Sequence, residues 1–465
     1  MSMAASPIIG FEVHVQVDSR EKLFCRCPTN YLDVPPNTNV CPICTGQPGA
    51  KPMPPNITAI KAAVAISLLL NCKVRVGEPI YWLRKHYPYP DLPKGYQIIS
   101  QPIGVDGYIT FRLNSTFHEV RIREVHVEED AGRWDPRSGR VDYNRCGVPL
   151  IEIVTFPDIR SPDEARAFAD VLMRVLRYSG CVRLEGTRFD TNISVKGGSR
   201  VEIKNINSIK GVYRALIFEI SRQKNLISKG LTVKRETRHF DEETMSTISM
   251  RIKETVEDYR YIPDPDLYPF TISRSLYVRV KSSLPESPYM RLNRFIEEYN
   301  LSYDDAYVLT SEKELADFFE EVVRHVPVQV AVNWVRHEVK RELNYRDLPA
   351  SKLPITPSDL VKLIKLVSSG SITIPVAKKV LGLMFDEHAD PEFLIKKYGL
   401  ERHEDIDLVL SEVRKAIEMY PQAVKDYKSG NRKAIFYLLG KVKFALKGRV
   451  DPQLILRLLE RELEG

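Results

Sequence analysis

Ile9-Gly-Phe-Glu-Val-His-Val-Gln-Val-Asp18 sets Phe11, Val13, Val15 and Val17 against Glu12, His14 and Gln16 in strict alternation. Side chains along a strand have a period of two, so this run offers one core-facing row and one row free to line a cleft. The design recurs far along the chain. Between Phe189 and Val195, Thr191, Ile193 and Val195 oppose Asp190, Asn192 and Ser194, and Val201 and Ile203 leave Glu202 and Lys204 on the other side. Val120 to Asp130 is less regular but delivers His126, Glu128, Glu129 and Asp130 near the end of one strand. Rows of this kind either face water on an antiparallel sheet or converge on an oxygen-rich site. Convergence suits a hard cation and a phosphorylated ligand, because carboxylate oxygens are what Mg2+ accepts.

The chain's 465 residues exceed what one hydrophobic core can fill, so roughly two to four domains are expected. Lys and Arg number 68 against 61 Asp and Glu, a formal charge of +7. That mild excess is compatible with a nucleic-acid partner without pointing to one. The longest apolar stretch, Ala62 to Leu70, is too short to cross a bilayer and reads as part of a buried helix from about Thr58 to Asn71. Met1 to Pro7 lacks the basic start and long apolar run of a signal peptide. The expectation is a cytoplasmic protein with no membrane attachment.

Up to about residue 285 the chain is rich in alternating runs and Gly/Pro turns, with helices expected at Thr58–Asn71, Pro162–Ser179 and Ile209–Lys229. This predicts an α+β domain on a mostly antiparallel sheet over residues 1–285. Residues 286–400 carry helical periodicity at Pro288–Tyr299, Glu312–His325, Pro327–Glu342, Ser358–Ser368 and Ile374–Leu383, predicting an all-α domain. A break at Tyr398–Glu404 introduces a last helical domain over 401–465.

Cys25, Cys27, Cys41 and Cys44 form C-x-C followed by C-x2-C. Two short-spaced pairs joined by a Pro/Gly-rich loop can close a tetrahedral thiolate cage, and four protein ligands leave a zinc ion no open position for substrate. Disulfides are the alternative, which a reducing compartment disfavours. Cys72, Cys146 and Cys181 lie in apolar surroundings and read as small core residues.

Two loops look made for ligand contact. Arg84-Lys-His86 runs into Tyr87-Pro-Tyr-Pro-Asp91-Leu-Pro-Lys94-Gly95-Tyr96-Gln97, and Asp258-Tyr-Arg260-Tyr-Ile-Pro-Asp264-Pro-Asp266 is built alike. Prolines stiffen both and lower the entropic cost of presenting cations and aromatics, although either is equally readable as an ordered surface loop whose tyrosines pack on the sheet. Near the C-terminus, Tyr427, Lys428, Gly430, Asn431, Arg432, Lys433, Lys441, Lys443, Lys447 and Arg449 gather positive charge around two helix ends. Such a surface either holds RNA phosphates or is a solvated helical face.

The strings GFEVHVQVD, FCRCPTN with CPICTGQPGAKP, YPYPDLPKGYQI, HVEEDAGR, NRCGVPLIEIV, FDTNISV, RVEIKNINS and DYRYIPDPDLYP, in this order, resemble the B subunit of the aspartyl/glutamyl-tRNA amidotransferases. The tail DYKSGNRKAIFYLLGKVKFALKGRVDPQLI is similar to the YqeY-like tRNA-binding end of that same family. The related archaeal E-type chain has an aspartyl-tRNA-synthetase-like insertion that is not found here. Eight or more ordered motifs are far more specific than any single pattern.

The resemblance implies a heterotrimeric ligase of protein biosynthesis. It implies ATP-driven phosphorylation of the side-chain carboxylate of Asp on tRNA(Asn) or Glu on tRNA(Gln), then displacement of phosphate by ammonia. Ammonia would come from glutamine through an A subunit, the amidase, with a small C subunit holding the two together. Position by position it implies a Mg2+ site of Glu12, His14, Glu128 and Glu202, with Glu129 and Asp190 as neighbours, and Lys85 with Glu128 at the exit of the ammonia passage. The cysteine quartet matches the zinc knuckle found in part of the family. Lys94, Lys204 and Arg260 are candidates, on charge and loop position, for holding phosphates or the tRNA 3′ end. No Walker loop or kinase H-R-D segment is present. Two other readings are a non-catalytic, zinc-containing tRNA-binding scaffold and a relative of the aminoacyl-tRNA synthetases. The second lacks the HIGH and KMSKS strings.

Overall fold

The computed structural model describes residues 6–87, 89–135, 137–252, 260–401, 406–446 and 450–464. Pro88, Asp258, Tyr259, Glu404, Asp405, Lys447 and Arg449, all part of segments read above, lie outside them. The chain divides into two compact units, Met1–Met290 and Arg291–Gly465.

The first unit is built on a twelve-stranded sheet. Its strands are β1 (Ile8–Val17), β2 (Lys73–Val74), β3 (Trp82–His86), β4 (Tyr96–Ser100), β5 (Gly104–Leu113), β6 (Thr116–Glu129), β7 (Pro149–Thr155), β8 (Val182–Ser194), β9 (Val201–Ile206), β10 (Glu236–Asp241), β11 (Ser246–Ile252) and β12 (Arg260–Pro263). They run in the order β11-β10-β9-β8-β1-β7-β6-β4-β3-β12, with β5 pairing β6 and β2 off this path. Neighbours are antiparallel except β9 and β10. The expected mostly antiparallel α+β unit is therefore what forms, and the alternating run at Ile9–Asp18 supplies its central strand.

Alternation decides which face is dry. Phe11, Val13, Val15 and Val17 of β1 are buried in one core with Val125, Val127, Ile151, Ile153 and Ile203. Helices α1 (Ile57–Leu69), α2 (Pro162–Ser179) and α3 (Ile209–Ser228) contribute to the same core. Helix α2 starts with Ser161 accepting from the Glu164 N–H at 3.1 Å and Pro162 at its first turn, and stops at Gly180 in the left-handed conformation (φ 62°). Phe168 of α2 stacks near Phe11 and Phe111, at centroid distances of 5.5 and 6.4 Å. A fourth helix, α4 (Arg274–Ser283), falls where the sequence reading placed no helix.

The second unit is helical and carries two separate apolar clusters among the described residues. One runs from Leu292 to Leu400 and one from Val409 to Leu463. The segment expected as one regular helix, Pro327–Glu342, contains a π-helical turn at Asn333–Val339. That turn shifts the period away from 3.6, so the apolar pattern alone could not announce it. No helix among the described residues is long and apolar enough to cross a membrane.

Phe168→Ala should cost about 3–5 kcal/mol, because a fully buried ring leaves a cavity between helix and sheet. The check is a lower thermal midpoint of the purified chain, and an unchanged midpoint would contradict this packing.

Candidate functional site

The face of the sheet opposite the core forms the floor of a cleft of about 600 Å³. Glu12 and His14 from β1, Lys85 from β3, Glu128 from β6, Arg188 and Asp190 from β8 and Lys204 from β9 all line it. They meet because register multiplies alternation. Glu12 lies opposite Asp190, His14 lies between Arg188 and Glu152, and Leu150 lies opposite Glu128. Residues aligned across neighbouring strands share a face.

Two acid groups result. In the first, His14 Nε2 stands 3.5 Å from Glu128 Oε1 and 3.5 Å from Glu152 Oε1. One ligand atom from each of these three residues falls within 4.8 Å of the others. Donors about 2.1 Å from one small divalent ion lie about 3 to 4.2 Å apart, so the spacing fits such an ion. The second oxygen of Glu128 is buried without a hydrogen-bond partner, which a cation would satisfy. In the second group Glu12 accepts from Asn192 Nδ2 at 3.2 Å, and Lys204 Nζ stands 3.6 Å from Asp190 and 3.5 Å from Glu202.

Crowded acids raise one another's proton affinity. Burial first, then the Glu152 charge, raises the Glu128 carboxyl, and burial with Glu152, Glu202 and Asp190 does the same for Glu12. Burial opposes a charged His14, but the Glu152 hydrogen bond and the Glu128 and Glu152 charges outweigh it and lift the imidazole to about 9. Glu152, despite burial, is held well below the usual carboxylate range by His14 and Lys85. Burial likewise opposes a charged Lys85, and Glu152 and Glu128 more than restore it.

The four residues assigned by resemblance to one ion thus fall into two adjacent groups on one face, with Glu152 as a member the sequence reading did not name. The trace of it in the sequence is a lone acid set in the apolar run Pro149-Leu-Ile-Glu-Ile-Val-Thr155, which the register with His14 turns into a member of the site. Arg188 was also missed. It shares the period-two row of Asp190, and its guanidinium donates to Asp130 at 2.7 Å. Gln16 donates to the same carboxylate at 2.7 Å, and Arg145 stands 3.6 Å away. From the stiff loop, Tyr87, Tyr89 and Asp91 line the cleft.

Three expected residues are not brought to it. Glu129 follows Glu128 directly, so its side chain leaves by the other face, where it accepts from Lys94. Lys94 lines a separate hollow with Arg84 and Tyr96. Arg260 is exposed and lies in register with His86, whereas Tyr261 is the partner of Lys85.

The four cysteines of the knuckle converge, with one sulfur from each inside a 4.8 Å set, and among the described residues all seven cysteines are free. Cys41 Sγ and Cys44 Sγ are 3.9 Å apart, close to the separation of about 3.8 Å that tetrahedral Zn–S bonds of 2.3 Å impose. A hydrogen bond from Cys25 and the nearby Lys22 charge, against the effect of burial, draw the Cys44 thiol down to about 4. Burial pushes Cys27 up to about 12. Cys72 and Cys146 are buried as expected, and Cys181 is half-buried. In the tail, Lys441 lies 5.2 and 5.1 Å from the rings of Tyr420 and Tyr437, which engages one of the expected basic residues.

The unit with the mostly antiparallel sheet, the acid-lined face and the thiolate cage is of the GatB/GatE catalytic type. Residues 7–278 match the GatB/GatE catalytic domain, and residues 317–463 match the GatB domain. The chain is 51% identical over 462 residues to the B subunit of the aspartyl/glutamyl-tRNA(Asn/Gln) amidotransferase of Methanopyrus kandleri, covering 98% of both. It is 50% identical over 455 residues to the same-named protein of Methanothermobacter thermautotrophicus (98% and 99% covered), and 48% identical over 467 residues to that of Methanocaldococcus jannaschii (98% and 97%). The chain belongs to the B-subunit family of the aspartyl/glutamyl-tRNA(Asn/Gln) amidotransferases.

Asp130→Ala should destabilise the first unit by about 3–5 kcal/mol, since it leaves the Arg188 guanidinium without its carboxylate beside a buried void. Denaturant unfolding of the variant checks this, and a loss below about 1 kcal/mol would mean the guanidinium finds other partners.

Proposed function

We propose that this chain carries the ATP-dependent amidation of Asp-tRNA(Asn) and/or Glu-tRNA(Gln), as the B subunit of a cytoplasmic complex with an A subunit, the amidase, and a small C subunit. The supporting observation is the meeting of Glu12, Glu128 and Asp190 with Lys85, Arg188 and Lys204 in one cleft, backed by Glu152 and Glu202 on the same face. Cations set among carboxylates suit a site that must hold an anionic substrate and the phosphates of ATP together.

A carboxylate resists attack because its oxygen leaves poorly. In the first step a side-chain oxygen of the aminoacyl group bonds to the γ-phosphorus of ATP, the bond to ADP breaks, and ADP departs with the electron pair. In the second, ammonia bonds to the resulting acyl carbon, phosphate departs with the C–O electron pair, and nitrogen sheds a proton to give the amide. Mg2+, held by Glu128, Glu152 and a His14 that gives up its proton to the ion, with Glu12, Asp190 and Glu202 close by, would offset phosphate charge and align the reacting oxygens. Arg188 and Lys204 are suited to phosphate oxygens, and Asp130 keeps Arg188 directed into the cleft. Lys85 and Glu128, side by side on the cleft lining, are placed by this reading at the exit of the ammonia route. Lys94 and Arg260, turned away from the cleft, are not part of this reading.

Zn2+ in the thiolate cage would be structural, since four sulfurs complete its coordination. The charged tail around Tyr427 to Lys443 supports a grip on tRNA phosphates.

The test is ATP hydrolysis by the reconstituted complex with each mischarged tRNA. Turnover should depend on the aminoacyl-tRNA and fall at least about a hundredfold in Glu128→Gln, the scale of removing one preorganised electrostatic group. Undiminished turnover in that variant would remove Glu128 from the mechanism, and tRNA binding without any turnover would favour the scaffold reading. Cys44→Ser should release the cage's metal, measured by elemental analysis, and lower the thermal midpoint while leaving the acid groups intact.

A further inference from the structure

One wall of the cleft is aromatic and is not needed by the carboxylate chemistry. A short hairpin pairs Arg133 with Asp142 and Trp134 with Val141. Arg133 and Trp134 both line the cleft, and Trp134 is 40% exposed. Its ring sits edge-on to Tyr89 at 6.3 Å between centroids, and Tyr89 in turn is 6.1 Å from Tyr87. A large indole left open costs solvation unless something covers it, and an indole stacks on flat rings.

The hairpin is also held with unusual care for an exposed element. Arg145 donates to the carbonyls of Ala131 and Gly132 at 2.9 and 2.7 Å, and the Gly132 N–H donates to the Asp91 carbonyl at 2.9 Å. A Cβ on Gly132 would come within 3.1 Å of that same carbonyl, so a side chain there would push the two segments apart by a few tenths of an ångström. On its other side the hairpin is gripped by the loop between the two cysteine pairs. Asn37 Nδ2 donates to the Val141 carbonyl at 3.0 Å, the Tyr143 N–H donates to Asn37 Oδ1 at 2.8 Å, and the Asn39 N–H donates to Asn144 Oδ1 at 2.8 Å. Rigid presentation of an aromatic face lowers the entropic cost of binding.

We infer that Trp134, with Tyr89, forms a stacking subsite for an adenine ring, and that Asn37 positions it from the thiolate knuckle. The inference rests on the reading given under Proposed function and adds the subsite. Two substrates in that reading carry adenine: ATP, and the unpaired 3′ end of tRNA. Base stacking on aromatic and guanidinium groups is the usual way to hold an unpaired nucleotide, and it leaves the phosphates to the cations deeper in the cleft.

The experiment measures binding of the full chain to three probes: an RNA acceptor hairpin with an unpaired 3′-adenosine, the same hairpin lacking that terminal base, and ADP. Trp134→Ala should weaken the adenosine-ended hairpin about tenfold, as expected for one lost base stack, and leave the base-less hairpin within about twofold. Trp134→Phe should restore most of the affinity. A loss confined to ADP would assign the ring to ATP and still support the subsite. Unchanged affinity of Trp134→Ala for both adenine-bearing probes overturns it. Failure of the wild-type chain to bind any of the three overturns the subsite together with the functional reading beneath it.

Asn37→Gly separates positioning from contact. Asn37 is left-handed (φ 59°), a conformation glycine accepts, so the variant removes the amide bonds without straining the backbone. It should keep the knuckle's metal yet lose adenosine-ended hairpin affinity by about as much as Trp134→Ala. The double variant should be no weaker than Trp134→Ala alone, because both act through one contact. Additive losses would overturn the positioning role.

Discussion

Like charges on one buried face of a sheet are the constraint around which the first unit is arranged. Glu12, Glu128, Glu152, Asp190 and Glu202 come from five strands and share a floor. Their mutual repulsion, added to the loss of hydration, is too costly to leave unopposed. The fold opposes it with cations drawn from the same rows. His14 bridges Glu128 and Glu152, Lys85 stands against both, Lys204 stands between Asp190 and Glu202, and Arg188 is fixed by Asp130. Glu128 nevertheless keeps one oxygen without a partner. A site balanced in this way has residual demand for positive charge, which is the electrostatic condition for drawing in a divalent ion.

The opposite face is arranged differently. Behind the acids lies a continuous aliphatic and aromatic core, and near its edge Glu129 is neutralised by Lys94. Farther along, Glu219 of α3 is fully buried and accepts from Arg222, Gln223 and Thr247, which ties the helix to β11. Both of these acids have dedicated partners. The acids on the apolar side are thus satisfied internally, while those of the cleft are not fully so.

This contrast explains what could be read from the sequence. Glu12, His14, Asp190 and Glu202 were legible because they alternate with apolar residues, and alternation fixes a face without knowledge of the partner strand. The same rule should have excluded Glu129, which neighbours Glu128 and must point the other way. Glu152 was harder. Its strand is covered on both sides, so the run Pro149–Thr155 reads as apolar with one acid embedded in it, and only the register with His14 gives that acid a role. Lys94 and Arg260 were chosen on charge and loop position, and neither property contains the direction of a side chain. The π-helical turn at Asn333–Val339 stayed hidden for the same reason that regular helices were visible, since both are read through a 3.6-residue period.

The thiolate cage extends the argument from charge to architecture. Residues 25–50 contribute few apolar side chains, so the segment cannot hold its shape by burial alone. Lys22 is 1% exposed, yet its ammonium lies 2.8 Å from the Asn39 carbonyl and 3.6 Å from Cys44 Sγ. A buried ammonium requires a nearby anion, and a Cys44 thiol drawn down to about 4 supplies one. Lys22 and the sulfurs are thus mutually dependent. The Lys22 ammonium donates to the carbonyls of Asn39 and Tyr143, and the Asn39 N–H in turn donates to Asn144 at the foot of the Trp134 hairpin. One buried cation therefore links the charge state of the cysteines to the placement of an aromatic wall on the cleft, through contacts that involve none of the acids on its floor.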